Sequence, residues 1–282
     1  MYSIKIKDDE FKFDFKEMFY YMMDLGKIEG IQTTSSAINQ DGVTLENVNY
    51  SSRSIMIEGL FKSNPKRVEE VRKKLSHLIN PKIPIEVIKD DKKIIAFPKT
   101  TLNISRESKW NNDYFFKFLI EATAFDPFFY NKKDDYILTQ GYEDLFEFPL
   151  EIKEEGIEFA RKRPALTTVT NNGDVPTGCI FEYYFIAETT NPKIINASTR
   201  EFIKINSSFN QGDKLIIDTN YSKKKIILIR EGKEYNYIKH LDYRSSFLQL
   251  EVGFNKFKFE VETGENSFQS AILFSERWFE AW

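Results

Sequence analysis

Few side chains in this sequence could carry out catalysis or bind a metal ion. The chain has two histidines, His77 and His240, and a single cysteine, Cys179. His240 and Asp242 are two residues apart and would share one face of a strand, but no nucleophile or metal ligand nearby would complete a catalytic set. The histidines are more than 160 residues apart, which does not match the ligand spacing of a zinc site. A structural polar contact is therefore the favoured role of His240 and Asp242.

The motifs of common catalytic and cofactor sites are also missing from the sequence. No Gly-rich phosphate loop precedes a helix, and no Gly-x-Ser-x-Gly segment is present. The stretch from Asp213 to Asp218 alternates with apolar side chains and predicts a strand rather than a calcium loop. Cys179, which lies between Gly178 and Ile180, is expected to be a small buried apolar residue. The sequence therefore predicts no catalytic residue, no cofactor and no metal site, and the protein is not expected to be an enzyme.

Composition places the chain among folded proteins made in the cytosol. Of its 282 residues 41% are hydrophobic and 15% aromatic, which is enough apolar surface for packed cores. The 40 basic and 43 acidic residues give a net charge of −3, without the basic excess of a protein that wraps nucleic acid. No stretch of about 18 apolar residues and no signal peptide are evident, so we expect neither export nor insertion in a membrane.

The second half of the chain predicts an antiparallel β-sandwich. Residues 171–178 are rich in Asn, Gly, Asp and Pro, which favour a loop because they adopt or preset turn conformations. Short apolar or alternating runs then recur between polar turns, as at Cys179 to Ile186, Glu201 to Ile205 and Lys256 to Val261. Each strand of such a sandwich buries one face.

The first half predicts several strands and one helix. Asn64-Pro65 is typical of a helix start, because Asn accepts a backbone N–H and Pro needs no hydrogen-bond partner at the first position. Val68, Val71, Leu75 and Leu78 would form one apolar stripe of a helix at about 65–79. Strand patterns surround this helix, from residues 2–15 to 114–122, so an α+β domain is expected.

A long hairpin is expected within about 28–60. Residues 35–52 are polar and short of large apolar side chains, and Asp41-Gly42 is a hairpin-turn signal. A hairpin that reaches away from its own core fits this pattern, because its side chains have little to bury within one subunit. A mobile surface loop explains the same residues equally well.

Charge clusters mark the boundary between two domains. From Asn131 to Leu166 acidic and basic clusters alternate with short apolar segments, as at 132–135 and 161–164. We predict domains at 1–131 and 132–282, with 132–165 as the crossover between them. The apolar end of the chain, with Trp278 and Trp282, is expected to dock on folded structure because it would be a poor free tail.

Four turn-and-strand blocks follow one another over about 85 residues of the second half. They are Asn172-Gly-Asp-Val-Pro-Thr-Gly178, Asn191-Pro-Lys-Ile-Ile-Asn196, Gly212-Asp-Lys-Leu-Ile-Ile-Asp-Thr219 and Leu248-Gln-Leu-Glu-Val-Gly-Phe-Asn255. In order and spacing they resemble the carboxy-terminal domain of siphophage distal tail proteins. Any sandwich repeats Gly, Asn and Asp turns, but four blocks in succession favour the family. The segment Ala124-Phe-Asp-Pro-Phe-Phe-Tyr130 is similar to the one that closes the amino-terminal domain of that family.

This resemblance implies a mainly β protein that acts as the hub at a phage tail tip. In the family, an amino-terminal domain with an extended belt hairpin forms a hexameric ring, and a galectin-like β-sandwich carries baseplate or receptor-binding components. The implied partners are other copies of the chain, the tail tube protein, the tail-associated lysin or fibre hub, and DNA in transit. The implied belt residues are Thr34, Ser36, Asn39, Asp41, Gly42, Thr44, Asn47 and Tyr50. The family-motif turn residues are Asp126, Pro127, Asn172, Gly173, Asp174, Gly178, Asn191, Pro192, Gly212, Asp213, Asp218, Gly253 and Asn255.

Two other functions remain open at the level of sequence. A glycan-binding module could be built on the same sandwich, with exposed aromatic side chains from among Tyr183, Tyr235, Tyr237 and Tyr243. A wall-degrading tail enzyme is the third candidate, and the sequence shows no catalytic set for it.

We expect deletion of 36–51 to abolish the ring while each domain stays folded.

Overall fold

The computed structural model describes residues 2–6, 9–12, 18–39, 41–105, 107, 109–140, 142–144, 160–162, 166–221, 223–264 and 267–281. The chain forms two compact units. The amino-terminal unit comprises Met1–Lys132 together with Trp278–Trp282, and the carboxy-terminal unit comprises Lys133–Arg277. The prediction of a mainly β protein with one helix is confirmed for the described residues.

The amino-terminal unit is built around a large antiparallel sheet and one helix. Its elements are β1 (Tyr2–Ile6), β2 (Asp9–Lys12), β3 (Met18–Asp24), β4 (Gly30–Ser35), β5 (Thr44–Tyr50), β6 (Arg53–Lys62), α1 (Pro65–Leu78), β7 (Ile85–Lys89), β8 (Lys92–Pro98), β9 (Asn103–Ile104), β10 (Phe115–Ala124) and β11 (Phe129–Asn131). The main strand order is β2-β1-β7-β8-β10-β6-β3, which leaves β2 and β3 at its two ends. The segment Met18–Asp24 thus forms an edge strand.

Helix α1 covers the core of this unit. The Asn64 side chain accepts a hydrogen bond from the Arg67 backbone N–H over 3.0 Å, and Pro65 is the first helical residue. Val68, Val71, Leu75 and Leu78 are buried together with the inward-facing residues of β6 and β10. The helix packs on strands β6 and β10. These strands form a long antiparallel pair that runs from Arg53↔Ala124 to Lys62↔Phe115.

The carboxy-terminal unit is an antiparallel sandwich. Its elements are β12 (Asp135–Gln140), β13 (Tyr142–Asp144), β14 (Ala160–Lys162), β15 (Leu166–Asn171), β16 (Cys179–Phe185), β17 (Thr189–Thr190), β18 (Lys193–Asn196), β19 (Phe202–Lys204), β20 (Ser208–Phe209), β21 (Lys214–Asp218), β22 (Lys225–Arg230), β23 (Lys233–Asn236), a 3₁₀ turn (Ile238–His240), β24 (Gly253–Glu260) and β25 (Phe268–Phe274). A last short strand, β26 (Arg277–Trp278), pairs with β11.

Aromatic side chains join the two main sheets of the sandwich. One sheet has the order β12-β25-β16-β21-β22-β23, and the other has the order β15-β24-β18-β19. The ring centroids of Phe181 (β16) and Phe257 (β24) are 5.4 Å apart, and those of Tyr183 and Phe259 are 5.5 Å apart. Both pairs are in edge-to-face contact. These rings are buried, so period-two burial of one face drives the packing of this unit.

Three expectations about element placement need correction. The segment Trp278–Trp282 belongs to the amino-terminal unit rather than to 132–282, because Trp278 packs there and donates a hydrogen bond from Nε1 to the Asn131 side chain over 3.1 Å. Part of the expected crossover at 132–165 is strand β12, which pairs with β25. His240 lies in a 3₁₀ turn, so it does not share a strand face with Asp242.

Several other expectations fall outside the described residues. Residues 13–15 of the expected first strands, the whole interval 145–159 and Trp282 belong to this group. In the described part of the chain, no helix combines the length and the apolar composition needed to cross a membrane.

Candidate assembly arm and its anchor

Strands β4 and β5 form a two-stranded arm that shares no sheet with the other strands of the described chain. Their register runs from Gly30↔Tyr50 to Ser35↔Thr44, with a shift between Thr33 and Thr34. All residues of both strands are exposed to solvent. An isolated hairpin is at best marginally stable in water, so this arm lacks the packing partner that an ordinary sheet provides.

The predicted arm residues lie on both strands and at the tip. Thr34, Thr44, Asn47 and Tyr50 are strand residues, and Ser36, Asn39, Asp41 and Gly42 lie in the connection between the strands. Asn39 and Gly42 have φ values of 68° and 86°, which suit Asn and Gly at a tight reversal of the chain.

The expectation that residues 35–52 are short of large apolar side chains is wrong. Five large aliphatic side chains on the arm are exposed, and the exposed fraction reaches 95% for Ile38 at the tip. They are Ile31, Ile38, Val43, Leu45 and Val48. Exposed large apolar side chains concentrated on one element favour a protein interaction site. The arm is therefore suited to packing against another protein surface, which the expectation of a polar hairpin did not include.

An aromatic cluster holds the base of the arm. The ring of Tyr50 lies 5.3 Å from Phe128 and 5.6 Å from Phe279 in edge-to-face contacts. Phe128 and Phe279 are themselves 5.9 Å apart. Because Phe279 lies near the end of the chain, the segment Trp278–Trp282 contributes directly to the base of the arm.

The fully buried side chain of Arg53 lies beneath this cluster. Its Nε donates to the Pro127 carbonyl over 2.8 Å, its Nη1 donates to the carbonyls of Leu25 and Gly26, and its Nη2 donates to the Phe279 carbonyl. The guanidinium also lies 4.7 Å from the centroid of the Phe129 ring. Arg53 thus forms hydrogen bonds with three segments at once. They are Leu25-Gly26 before the arm, the Asp126-Pro127 turn and the end of the chain at Phe279.

Burial lowers the pKa of Arg53, and the negative charge of Glu280 partly offsets this effect. The guanidinium remains protonated because arginine loses its proton only at very high pH. A buried cation is tolerated only when its donors are hydrogen-bonded. The four carbonyl acceptors meet that requirement.

Sequence reasoning missed Arg53, although a signal was present. Arg53, Ile55, Ile57 and Phe61 are in phase along β6, and all four are buried. A charged residue in phase with inward-facing apolar residues predicts a buried ion that needs partners. The position of Pro127 shows what the Asp-Pro motif does here, because its carbonyl is one of those partners.

The motif turns of the carboxy-terminal unit close the sandwich rather than form a reactive site. Asn172 donates from its backbone N–H and from Nδ2 to Glu276 Oε1 over 2.9 and 2.8 Å. Asp174 donates its backbone N–H to the Arg277 carbonyl over 2.8 Å. A Cβ at Gly173 would lie 2.6 Å from that same carbonyl oxygen. This loop therefore packs along residues 276–277.

The other motif turns are held by local hydrogen bonds. Asn191 has a φ of 48° and donates from Nδ2 to Glu262 over 2.7 Å, and the carbonyl of Pro192 accepts from Ile205. Asp218 accepts from the backbone N–H and Nδ2 of Asn220.

The last motif block forms a similar local turn. Gly212 and Gly253 have φ values of 88° and 90°, and Asn255 Nδ2 donates to the carbonyls of Glu251 and Gly253. These contacts explain the residue types by turn geometry.

The residues considered for chemistry have structural surroundings. His240 stacks on Tyr237 with ring centroids 4.0 Å apart, while Asp242 accepts hydrogen bonds from Arg244 and Asn206. Hydrogen bonding to Arg244 lowers the pKa of Asp242. Within the described ranges, no group of three His, Cys, Asp or Glu residues could hold a metal ion.

Cys179 is fully buried in the sandwich, and burial raises the pKa of its thiol to about 12. The thiolate is the reactive form, so we expect Cys179 to resist thiol reagents at neutral pH in the native protein and to react in urea. Labelling with a maleimide, followed by mass spectrometry, measures this. Modification of the native protein at the rate of the unfolded chain would contradict the burial of this side chain.

Gly178 is expected to be intolerant of any side chain. A Cβ there would lie 2.5 Å from Cα and 2.8 Å from N of Asn220, and a backbone contact of this kind is relieved only by moving the chain at Asn220. We expect Gly178→Ala to destabilise the sandwich by about 1–3 kcal/mol. The rate of Cys179 labelling across a urea series measures this change.

The matched control is Gly212→Ala. This site has open space around the new Cβ but a φ of 88°. Only the backbone cost of about 1 kcal/mol is expected there. Equal midpoints for Gly178→Ala and the unchanged protein would contradict the close approach.

The comparison with protein families decides between these interpretations. Residues 172–278 match the family model described as siphovirus-type tail component, C-terminal domain. Residues 172–278, which form most of the sandwich, are therefore similar to this C-terminal domain. This match confirms the resemblance to siphophage distal tail proteins that the four motif blocks indicated. No curated protein sequence matches the chain.

Solved structures show that the likeness in fold extends over nearly the whole chain. The Dit protein of phage SPP1, described as a paradigm of the hub adsorption apparatus in Gram-positive infecting phages, aligns with a TM-score of 0.65 at 13% identity. That alignment covers 98% of this chain and 99% of the SPP1 chain. A chain of the phage P2 baseplate in its activated conformation with Ca aligns with a TM-score of 0.53 at 10% identity, covering 98% and 97% of the two chains. At these identities the two alignments establish a shared fold.

Proposed function

We propose that this tail component is the distal hub of a long non-contractile phage tail, where copies of the chain assemble into a closed hexameric ring. The observation that carries the proposal is the arm formed by β4 and β5, which exposes five large aliphatic side chains. The base of the arm is held by contacts of Arg53 and Tyr50. The family match and the fold shared with the SPP1 hub protein support the same location at the tail tip.

The neighbouring copy is the proposed partner of the arm. In a cyclic assembly each arm binds a surface of the next subunit, and the ring closes when the rotation between copies returns to the start. The large sheet of the amino-terminal unit ends in β2 and β3, so each copy also offers two strand edges. An arm that projects from one copy and packs on the next gains the buried apolar area that it lacks alone.

The ring would join the tail tube protein to the lysin or fibre hub and to receptor-binding or baseplate proteins. DNA would pass through the opening without being recognised. The net charge of −3 supports this, because a mildly acidic chain provides no excess of cations to retain phosphates.

Light scattering on the purified chain tests the assembly. A ring of six copies has about six times the 33.3 kDa mass of one chain. We expect that mass either for the chain alone at high concentration or after addition of the tail tube and fibre-hub proteins. A chain that stays monomeric in both experiments would contradict the proposed ring.

A further inference from the structure

A cleft lies on the sandwich beside β22 and β23, and Asp213 of a motif turn contacts one of its lining residues. The cleft has a volume of about 390 Å³ and is lined by Leu228, Arg230, Tyr235, Asn236, Tyr237 and Lys239. The lining comes from β22, the edge strand β23 and the chain that follows β23. This volume is within the usual range of pockets that bind small molecules.

The guanidinium of Arg230 is held in place at one wall of the cleft. Its Nε lies 2.9 and 3.1 Å from the two carboxylate oxygens of Asp213, and its Nη2 also donates to Asp213. Asp213 is buried and accepts a further hydrogen bond from the Asn210 backbone N–H. Hydrogen bonding to Asp213 raises the pKa of Arg230. The Arg230 side chain is therefore a fixed cation, and its Nη1 makes no hydrogen bond to the described residues.

The remaining polar atoms of the cleft are mostly donors. The ammonium of Lys239 and the hydroxyl of Tyr235 make no hydrogen bond to the residues that the structure describes. The amide of Asn236 accepts from the Ile238 backbone N–H through Oδ1, which leaves Nδ2 as a donor. A ligand that satisfies these groups must supply acceptor oxygens, and a carboxylate or phosphate group supplies them best.

Two tyrosine rings provide the apolar surface of the cleft. Tyr235 is 46% exposed, which leaves its ring available for contact. Tyr237 is fixed by a 2.7 Å hydrogen bond between its hydroxyl and the Ser207 hydroxyl and by stacking on His240. Buried Leu228 pairs across the strands with Tyr235. A rigid amphipathic aromatic wall beside hydrogen-bond donors suits a sugar ring, which presents both C–H groups and oxygens.

We propose that this cleft binds a pyranose that carries a carboxylate or phosphate group. The sugar ring packs on Tyr235, and its anionic group accepts hydrogen bonds from Arg230 and Lys239. The ligand class would belong to a polysaccharide of the cell surface, which a tail tip must meet. Binding requires only the carboxy-terminal unit of each chain, so this proposal does not depend on whether copies form a ring.

Saturation-transfer NMR on the full-length chain tests the site with four probes, which are glucuronic acid, glucose 1-phosphate, glucose and inorganic phosphate. We expect saturable binding of one or both charged sugars with a Kd of about 1 mM, which is typical of a single weakly held sugar. Glucose is expected to bind at least about tenfold more weakly, because it forms no ion pair. The preferred charged sugar distinguishes a uronic acid from a phosphorylated glycan. Competition against the charged sugar measures binding of inorganic phosphate, which has no ring to stack.

Two variants and a control locate the binding. Tyr235→Ala and Lys239→Ala should each weaken binding of the preferred sugar by at least about tenfold. Tyr243→Ala removes an aromatic side chain that is 92% exposed and does not line the cleft, so it should leave binding unchanged. Absence of binding by both charged sugars, equal binding of glucose or of inorganic phosphate, or unchanged affinity in Tyr235→Ala would overturn the proposal.

Discussion

A variant in which a two-residue Asn-Gly turn replaces residues 31–49 is expected to remain folded and to lose the ring. Gly30 and Tyr50 are the last paired residues at the base of the arm, so the new turn closes the hairpin where the register already brings the chain together. Tyr50 is kept because it packs on Phe128 and Phe279. This cut is better placed than deletion of 36–51, which would remove Tyr50 and leave β4 without its partner strand.

The size of the effect follows from what the arm exposes. The five large aliphatic side chains of the arm are exposed, and complete burial of such a side chain against a neighbouring copy would stabilise the proposed interface by about 1.5–3 kcal/mol. Light scattering should show only the mass of one chain under conditions in which the unchanged protein forms rings.

A second variant keeps the full length of the arm and changes only its exposed apolar side chains. It tests whether these side chains, rather than the length of the arm, are needed for the ring. Replacement of Ile31, Leu45 and Val48 by Ser should also abolish the ring. Tyr243→Ser, which removes an exposed aromatic side chain of the other unit, should preserve it. A ring that forms without residues 31–49 would show that the arm is not the element that joins the copies.

Arg53→Met is expected to cause the largest loss of stability in the amino-terminal unit. Met fills similar space but leaves the carbonyls of Pro127, Leu25, Gly26 and Phe279 without their donor. A buried acceptor left without a partner costs about 1–3 kcal/mol. Because the Arg53 guanidinium donates to four carbonyls, we expect a decrease of about 3–5 kcal/mol in the free energy of unfolding of this unit.

Tryptophan fluorescence during urea unfolding measures this unit alone. All three tryptophans, Trp110, Trp278 and Trp282, belong to it. The control is Arg67→Met, which removes an arginine at a surface ion pair with Glu70 and should cost less than about 1 kcal/mol. Equal urea midpoints for the two variants would contradict the anchoring role of Arg53. Labelling of Cys179 in the same samples reports whether the sandwich is affected.

Local sequence patterns were enough to predict the parts of the fold that depend on neighbouring residues. The cap at Asn64-Pro65 and the stripe from Val68 to Leu78 correspond to helix α1, which spans Pro65–Leu78. The Gly, Asn and Asp turns between residues 172 and 255 lie in the connections and strand ends of a sandwich. In each case the residue type is dictated by backbone geometry within a few positions.

Features that join distant parts of the chain could not be predicted in the same way. Arg53 contacts Phe279, which is 226 residues away, and no local pattern contains that information. Trp278 contacts Asn131, which is 147 residues away, so only the apolar character of the chain end pointed to docking. Tyr183 was a candidate residue for contact with a sugar, but it is fully buried in the sandwich core. Tyr235, by contrast, is exposed beside Arg230. Period-two patterns do not show which face of a strand a second sheet covers.

Photo-crosslinking from the tip of the arm tests the central claim most directly. Benzoylphenylalanine in place of Ile38, the most exposed of the large apolar side chains of the arm, should crosslink to a neighbouring copy of the chain in assembled tails. With mixed isotope-labelled and unlabelled copies, mass spectrometry should find the crosslink between different chains. The covalent products on a denaturing gel should form a ladder that ends at six copies. Crosslinks confined to the same chain, with no ladder in either the free protein or the assembled tail, would contradict this account.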